Sequence, residues 1–185
     1  ITEIYSLAVD YDPNAEITHE FYASVQNKLH WAITGHTAAE LIAERASAAK
    51  PNMGLTSWKG KKVRPADVTV AKNYLAEEEL RSLNRIVTMY LDYAEDQAER
   101  HQPMYMRDWA QKLDAFLQFN GRDVLRNAGR VSAEVAKALA LSEFEKYNTA
   151  RLEREASQPD EDFDKVVKKI SSGGSKKKND ESENE

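Results

Sequence analysis

At 185 residues, 41% apolar and 31% charged, the chain is long enough for one filled core and short for two. A net charge of −5 excludes a global attraction to nucleic acid or anionic lipid, so any such contact has to come from a local basic patch. Zero cysteines exclude disulfides and thiolate metal sites, which fits a reducing cytosol, and no apolar run approaches the roughly 18 to 20 positions a membrane helix needs.

The chain begins at Ile1 without a methionine, and its apolar run Ile4 to Val9 makes poor sense as a free terminus, so it reads as a fragment whose preceding segment is missing. Ile4 to Val9 is expected to be extended or a short strand, closed by the turn signal Asp10-Tyr-Asp-Pro13. Charge is unevenly placed at this end: Glu3, Asp10, Asp12, Glu16 and Glu20 all precede the first basic residue, Lys28. Asp12 as N-cap with Pro13 in the first turn suits a helix start, because orphan amides want an acceptor and proline has no amide to lose. Ile17, Phe21, Val25, Leu29 and Ala32/Ile33 then recur at helical spacing, and Gly35 supplies the stop.

Thr37-Ala-Ala-Glu40 is a capping box, in which the threonine oxygen takes one free amide and the glutamate reaches back to another. The helix it opens should run to about Ala49, ahead of Pro51. Asn52 to Pro65 holds two glycines and the cations Lys59, Lys61, Lys62 and Arg64, and is expected to be a loop or short hairpin. Its Met53, Leu55 and Trp58 need burial.

Asp67 can cap a short helix through Tyr74. Glu77, Glu78 and Glu79 sit where a helix dipole favours acids, at the start of the longest helix, whose stripe is Leu80, Leu83, Ile86/Val87, Tyr90/Leu91 and Ala94 and whose end should fall near His101. Another helix is expected from about Met106 to Phe119 with Trp109, Leu113, Phe116 and Leu117 inward, broken at Asn120-Gly121; Arg122 to Asn127 can add a turn or two. Ser132 caps the last main helix, whose inward face reads as Val135, Ala136, Leu139, Phe144 and Tyr147. Asp160 to Ile170 carries Phe163, Val166, Val167 and Ile170 at helical spacing, and Ser171 to Glu185 has the composition of a disordered tail. The pattern is that of an all-α, single-domain bundle of about six helices over residues 1–157, a short amphipathic helix over 158–170 and a tail over 171–185.

Four stretches carry a family likeness: Ile33-Thr-Gly-His-Thr-Ala-Ala-Glu-Leu-Ile-Ala-Glu-Arg45, Lys50-Pro-Asn-Met-Gly-Leu-Thr-Ser-Trp58, Val68-Thr-Val-Ala-Lys-Asn-Tyr-Leu75 and Tyr90-Leu-Asp-Tyr-Ala-Glu-Asp-Gln-Ala98. Over most of Ile1 to Leu152 the chain resembles the C-terminal part of the RhuM family of bacterial virulence-associated proteins. The family brings no settled activity with it. What the resemblance implies is a cytoplasmic, non-enzymatic binding or regulatory module. Its partner would be another protein, its own preceding segment or nucleic acid, with no membrane and no cofactor. An oligomerisation scaffold is a further reading, and the sequence sets no oligomeric state.

Trp58 with Lys59, Lys61, Lys62 and Arg64 is the candidate nucleic-acid contact, since clustered cations release counterions from a phosphate backbone and an aromatic can stack beside them. The plain alternative is a solvated loop whose tryptophan folds back onto the core. His19, His30, His36 and His101 have no metal-ligand spacing and are assigned no metal, although His30 and His36 flank one turn. Asp92 and Asp96 share a helix face with Arg100, an ordinary surface pattern.

The most pointed chemical signal is Asp114-Ala-Phe116-Leu-Gln-Phe-Asn120-Gly121-Arg122-Asp-Val-Leu-Arg126, which resembles a degraded Fic motif, HPFxxGNGRxxR, of enzymes that transfer AMP to hydroxyl groups. Phe116, Asn120, Gly121 and Arg122 match in register, Asp114 stands where the histidine base belongs, and Arg126 falls one place late. That likeness implies a nucleotide whose phosphates lie at the start of a second helix, near Asn120, Gly121, Arg122 and Arg126. With no histidine, transfer has no evident base.

Overall fold

The structure is a computed structural model that describes residues 8–156 together with 167 and 168. Six α-helices are present among them: α1 (Glu16–Thr34), α2 (Ala38–Arg45), α3 (Pro65–Val68), α4 (Glu77–Glu99), α5 (Met106–Phe119) and α6 (Ala133–Ala156). Two 3₁₀ turns, Pro51–Gly54 and Ala71–Tyr74, complete the order, and no strand is present among the described residues. The all-α expectation of about six helices therefore holds. Most of Ile4 to Val9 and of the expected helix over 158–170, and the whole of the tail, lie outside the described residues.

A compact unit ends at Phe144 and a second begins at Glu145. In the first, α1 lies against α4 and α2, and α2 against the Ala71–Tyr74 turn. Val25 and Leu29 of α1, Leu41 and Ile42 of α2, and Leu83, Ile86, Tyr90 and Ala94 of α4 are buried. Met106, Trp109, Leu113 and Leu117 of α5 complete the core. Phe116 is half-buried, its ring 5.3 Å from that of Tyr90, whose hydroxyl donates to the Trp109 carbonyl at 2.7 Å. Long-range bonds close the unit: Met106 N donates to Asp10 Oδ1 at 2.9 Å, and Arg130 N to Glu40 Oε1 at 2.7 Å.

Several local expectations needed correction. Asp12 does not cap α1: its Oδ1 accepts the Asn14 N–H at 2.9 Å in a separate turn, and α1 starts only at Glu16. Gly35 ends α1 in the left-handed region at φ 72°, as its position suggests. The Thr37–Glu40 capping box is present, with both reciprocal bonds, at 2.8 and 3.3 Å. The helix after it stops at Arg45, four residues short of Ala49, because the chain turns at Ala46 (ψ 119°) and comes back on itself. Asn52 and Met53 make that return in the left-handed region, at φ 50° and 61°, with the Met53 side chain fully buried. Such backbone costs on the order of 1 kcal/mol per residue, and burial of a methionine offsets it.

The helix expected from Asp67 to Tyr74 is broken. Asp67 lies inside α3 and accepts the Arg64 N–H at 2.9 Å, while Asn73 Nδ2 reaches the Asp67 carbonyl at 2.9 Å across the break. α4 ends at Glu99, and α5 spans the expected Met106–Phe119. Arg122 to Asn127 forms no helical turn. Ser132 does cap α6, its Oγ accepting the Val135 N–H at 3.3 Å. Val135 and Leu139 point outward, at 58% and 37% exposure, and the buried face is Ala136 and Ala140. Small side chains let α6 approach closely there, which a search for large apolar residues overlooks.

The second unit, described over Glu145 to Ala156 and at 167 and 168, holds the end of α6. Arg151 pairs along it with Asn148 at 2.6 Å and Glu155 at 3.8 Å.

Candidate nucleic-acid interface

The segment 55–64 is held at both ends by hydrogen bonds. At its start Thr56 donates N–H to the Asn73 carbonyl at 2.8 Å and its hydroxyl to the Leu75 carbonyl at 2.6 Å. At its end the Asp67 carboxylate, itself buried, accepts N–H groups from Lys59 at 3.4 Å and Arg64 at 2.9 Å. Leu55 and Val63 are buried beneath the loop. Val63 turned inward places its neighbours Lys62 and Arg64 outward, and Lys59 and Lys61 are exposed with them. Trp58 is half-buried, so part of its ring rests on the protein and part reaches solvent. The loop is therefore not a hairpin, and its tryptophan is partly covered by the protein. It presents four cations on a short backbone fixed from beneath, an arrangement able to follow a run of phosphates.

Asn120 and Arg122 lie at the end of α5. Asn120 Nδ2 donates to the Phe116 carbonyl at 2.8 Å, and Arg122 Nη2 donates to Ser82 Oγ on α4 at 2.8 Å. Both line a shallow cleft of about 390 Å³ together with Arg81, Ser82 and Arg85. Arg126 lines another, of about 430 Å³, which it shares with Arg122 and Trp31. Sequence reading missed Arg81 and Arg85; their spacing of four residues on the solvent face of α4 was the available signal. Gly121 takes φ 68° and is followed by no helix until Ala133, so the helix start that would aim amides at a phosphate is missing beyond it. Asp114, at the position of the motif histidine, has its two oxygens 2.7 and 2.8 Å from Lys28 Nζ.

His30 and His36 do not converge on one ligand. His36 Nε2 lies 3.1 Å from Glu44 Oε2 at the surface, whereas His30 is buried, and that burial pushes its imidazole below the usual histidine range. Asp96 pairs with Arg100 at 3.2 Å on the exposed face of α4. No helix among the described residues is long and apolar enough to cross a membrane.

No curated protein and no solved structure matches the chain. The model of the Virulence protein RhuM family matches it over residues 1–155, a span that takes in all six helices but for the last residue of α6, and the chain belongs to that family.

Proposed function

We propose that this RhuM-family chain is a non-enzymatic binding module that holds a nucleic-acid backbone on the loop from Trp58 to Arg64. The observation that carries this reading is the exposure of Lys59, Lys61, Lys62 and Arg64 together on a backbone fixed by Asp67 and Asn73. A loop fixed before binding loses little conformational freedom on contact, so its cations act with more of their Coulomb energy. Trp58 adds a partly open ring on which a base or sugar can stack.

Fluorescence anisotropy with a labelled oligonucleotide at several salt concentrations tests it. Affinity should fall with salt at a log–log slope of about 0.9 per neutralised duplex phosphate, and alanine at all four cationic positions should flatten that slope. A slope and affinity that survive the four replacements would remove the proposal.

A second reading, a nucleotide held by its phosphates at Asn120 and Arg122, is favoured by one observation: Arg81, Arg85 and Arg122 line the same cleft, although Glu78 lines it too and Arg81 is paired with Glu77 at 2.8 Å. It has no helix start in its support. Calorimetry with ATP and Mg²⁺ separates the two, since heat at millimolar nucleotide that is lost in Arg122→Ala favours this reading and absence of heat ends it.

A further inference from the structure

A cleft of about 780 Å³ opens elsewhere, where α1, α2, α4, the start of α6 and residues 69–72 converge. Its depth is apolar: Ile42, Leu83 and Ala136 are buried along it. The exposed Lys72 and Lys137 reach it from two separate elements, and no aspartate or glutamate lines it. His30, nine-tenths buried, also lines it, and its Nδ1 is shut off from solvent without a hydrogen-bond partner in the protein.

These features select a ligand by elimination. The size lies within the roughly 300 to 1,000 Å³ of small-molecule sites, and the aliphatic surface left open at Val70 and Val87 rewards a hydrocarbon body. Two cations unmatched by any lining acid reward a negative head and penalise a cationic one. A long polyanion would gain nothing from the apolar depth, and a neutral hydrocarbon would leave the lysines unused. We infer that this cleft is a binding site for a small amphiphilic anion, a medium-chain carboxylate in which the alkyl chain lies on Val70 and Val87, the apolar side chains still open to the cleft, above Ile42 and Leu83, and the head group meets Lys72 and Lys137. The site is independent of the loop at Trp58 to Arg64.

Isothermal titration of the full chain with decanoate, decanol and acetate tests the assignment, with the ring resonances of His30 and His101 followed by NMR. Decanoate should saturate at one equivalent and shift His30 but not His101. Decanol and acetate should each bind about tenfold more weakly or worse, since two solvent-facing ion pairs and the chain are both needed. Lys72→Gln with Lys137→Gln, substitutions at exposed positions, should bring decanoate down to the level of decanol. Ala133→Trp, at the exposed first residue of α6 beside the cleft, should block both, with circular dichroism confirming that the variant is folded. Equal affinity for decanoate and decanol, unchanged binding in the lysine pair, a shift at His101 in place of His30, or no saturation at millimolar decanoate would each overturn the inference.

Discussion

Arg45, the last residue of α2, holds Glu79, in the first turn of α4, by two N–H···O bonds of 2.6 and 2.7 Å. The same guanidinium donates to the Tyr74 carbonyl at 2.8 Å, and the same carboxylate accepts the Ala76 N–H at 2.7 Å. One ion pair thus ties a helix end, a helix start and the 3₁₀ turn between them. A planar fork suits this task, and lysine could not replace it.

Glu79→Gln should destabilise the protein by about 2 kcal/mol, in the range for hydrogen bonds to charged groups. The Arg45 bonds, aided by the Ala76 N–H, hold the Glu79 carboxyl below its ordinary 4.5. A carboxyl depressed on folding contributes its full stability above the unfolded value and loses it as pH falls through the folded one. Urea midpoints measured from about pH 7 down to pH 3 should therefore fall more steeply for the wild type than for Glu79→Gln. Parallel curves would show that the pair contributes nothing to acid sensitivity.

Thr37→Ala removes half of a capping box and should cost about 1 kcal/mol in thermal or urea unfolding. Glu40 serves the other half with Oε2 and accepts the Arg130 N–H with Oε1, so Glu40→Ala should cost more than Thr37→Ala. Partial burial would raise the Glu40 carboxyl, but the N–H groups of Thr37 and Arg130 outweigh it and leave the group below its ordinary value. Its contribution, like that of Glu79, is lost on acidification.

Gly54→Ala should destabilise by about 2 to 3 kcal/mol, because strain and overpacking act together. At φ 81° a side chain is disfavoured by the backbone alone, and a Cβ would collide with the Arg45 carbonyl oxygen. Gly121→Ala meets no atom within 4 Å and carries only the left-handed penalty, so it should cost about 1 kcal/mol. A larger loss at Gly121 than at Gly54 would contradict the packing of the return after α2.

Asp114→His restores the residue that a Fic-like motif requires, yet labelled ATP should transfer no AMP to the protein or to added polypeptide. The side chain at 114 is the partner of Lys28, and no helix begins after Gly121 to hold phosphates. The same change should lower stability by about 1 kcal/mol through loss of the half-buried pair.

The elements legible in the sequence are those whose signals are local. The Thr37–Glu40 box, the Gly35 stop and the stripe from Met106 to Leu117 depend on residues three or four apart, and the structure repeats them. Errors arose where a distant segment decides the outcome. α2 ends early because Gly54 returns onto it, and the helix after Pro65 breaks where Asn73 bonds to both Asp67 and Thr56. In α6 the alanines rather than the larger Val135 and Leu139 face inward, since contact distance and not hydrophobicity selects them. The loop at Trp58 to Arg64 was visible as a cluster of cations, but its fixation by Asp67 was not. The cleft around His30 was out of reach, because its walls come from five separate stretches of chain.

The bonds from Met106 to Asp10 and from Arg130 to Glu40 join positions 96 and 90 residues apart. Loops of that size are costly to close before the contacts that reward them exist, so despite its helical content this molecule should fold more slowly than a bundle of successive hairpins. The corollary concerns dissection: severing the chain between α4 and α5 would give halves that each lack the other's buried wall, and neither should be recovered as a cooperative unit on its own.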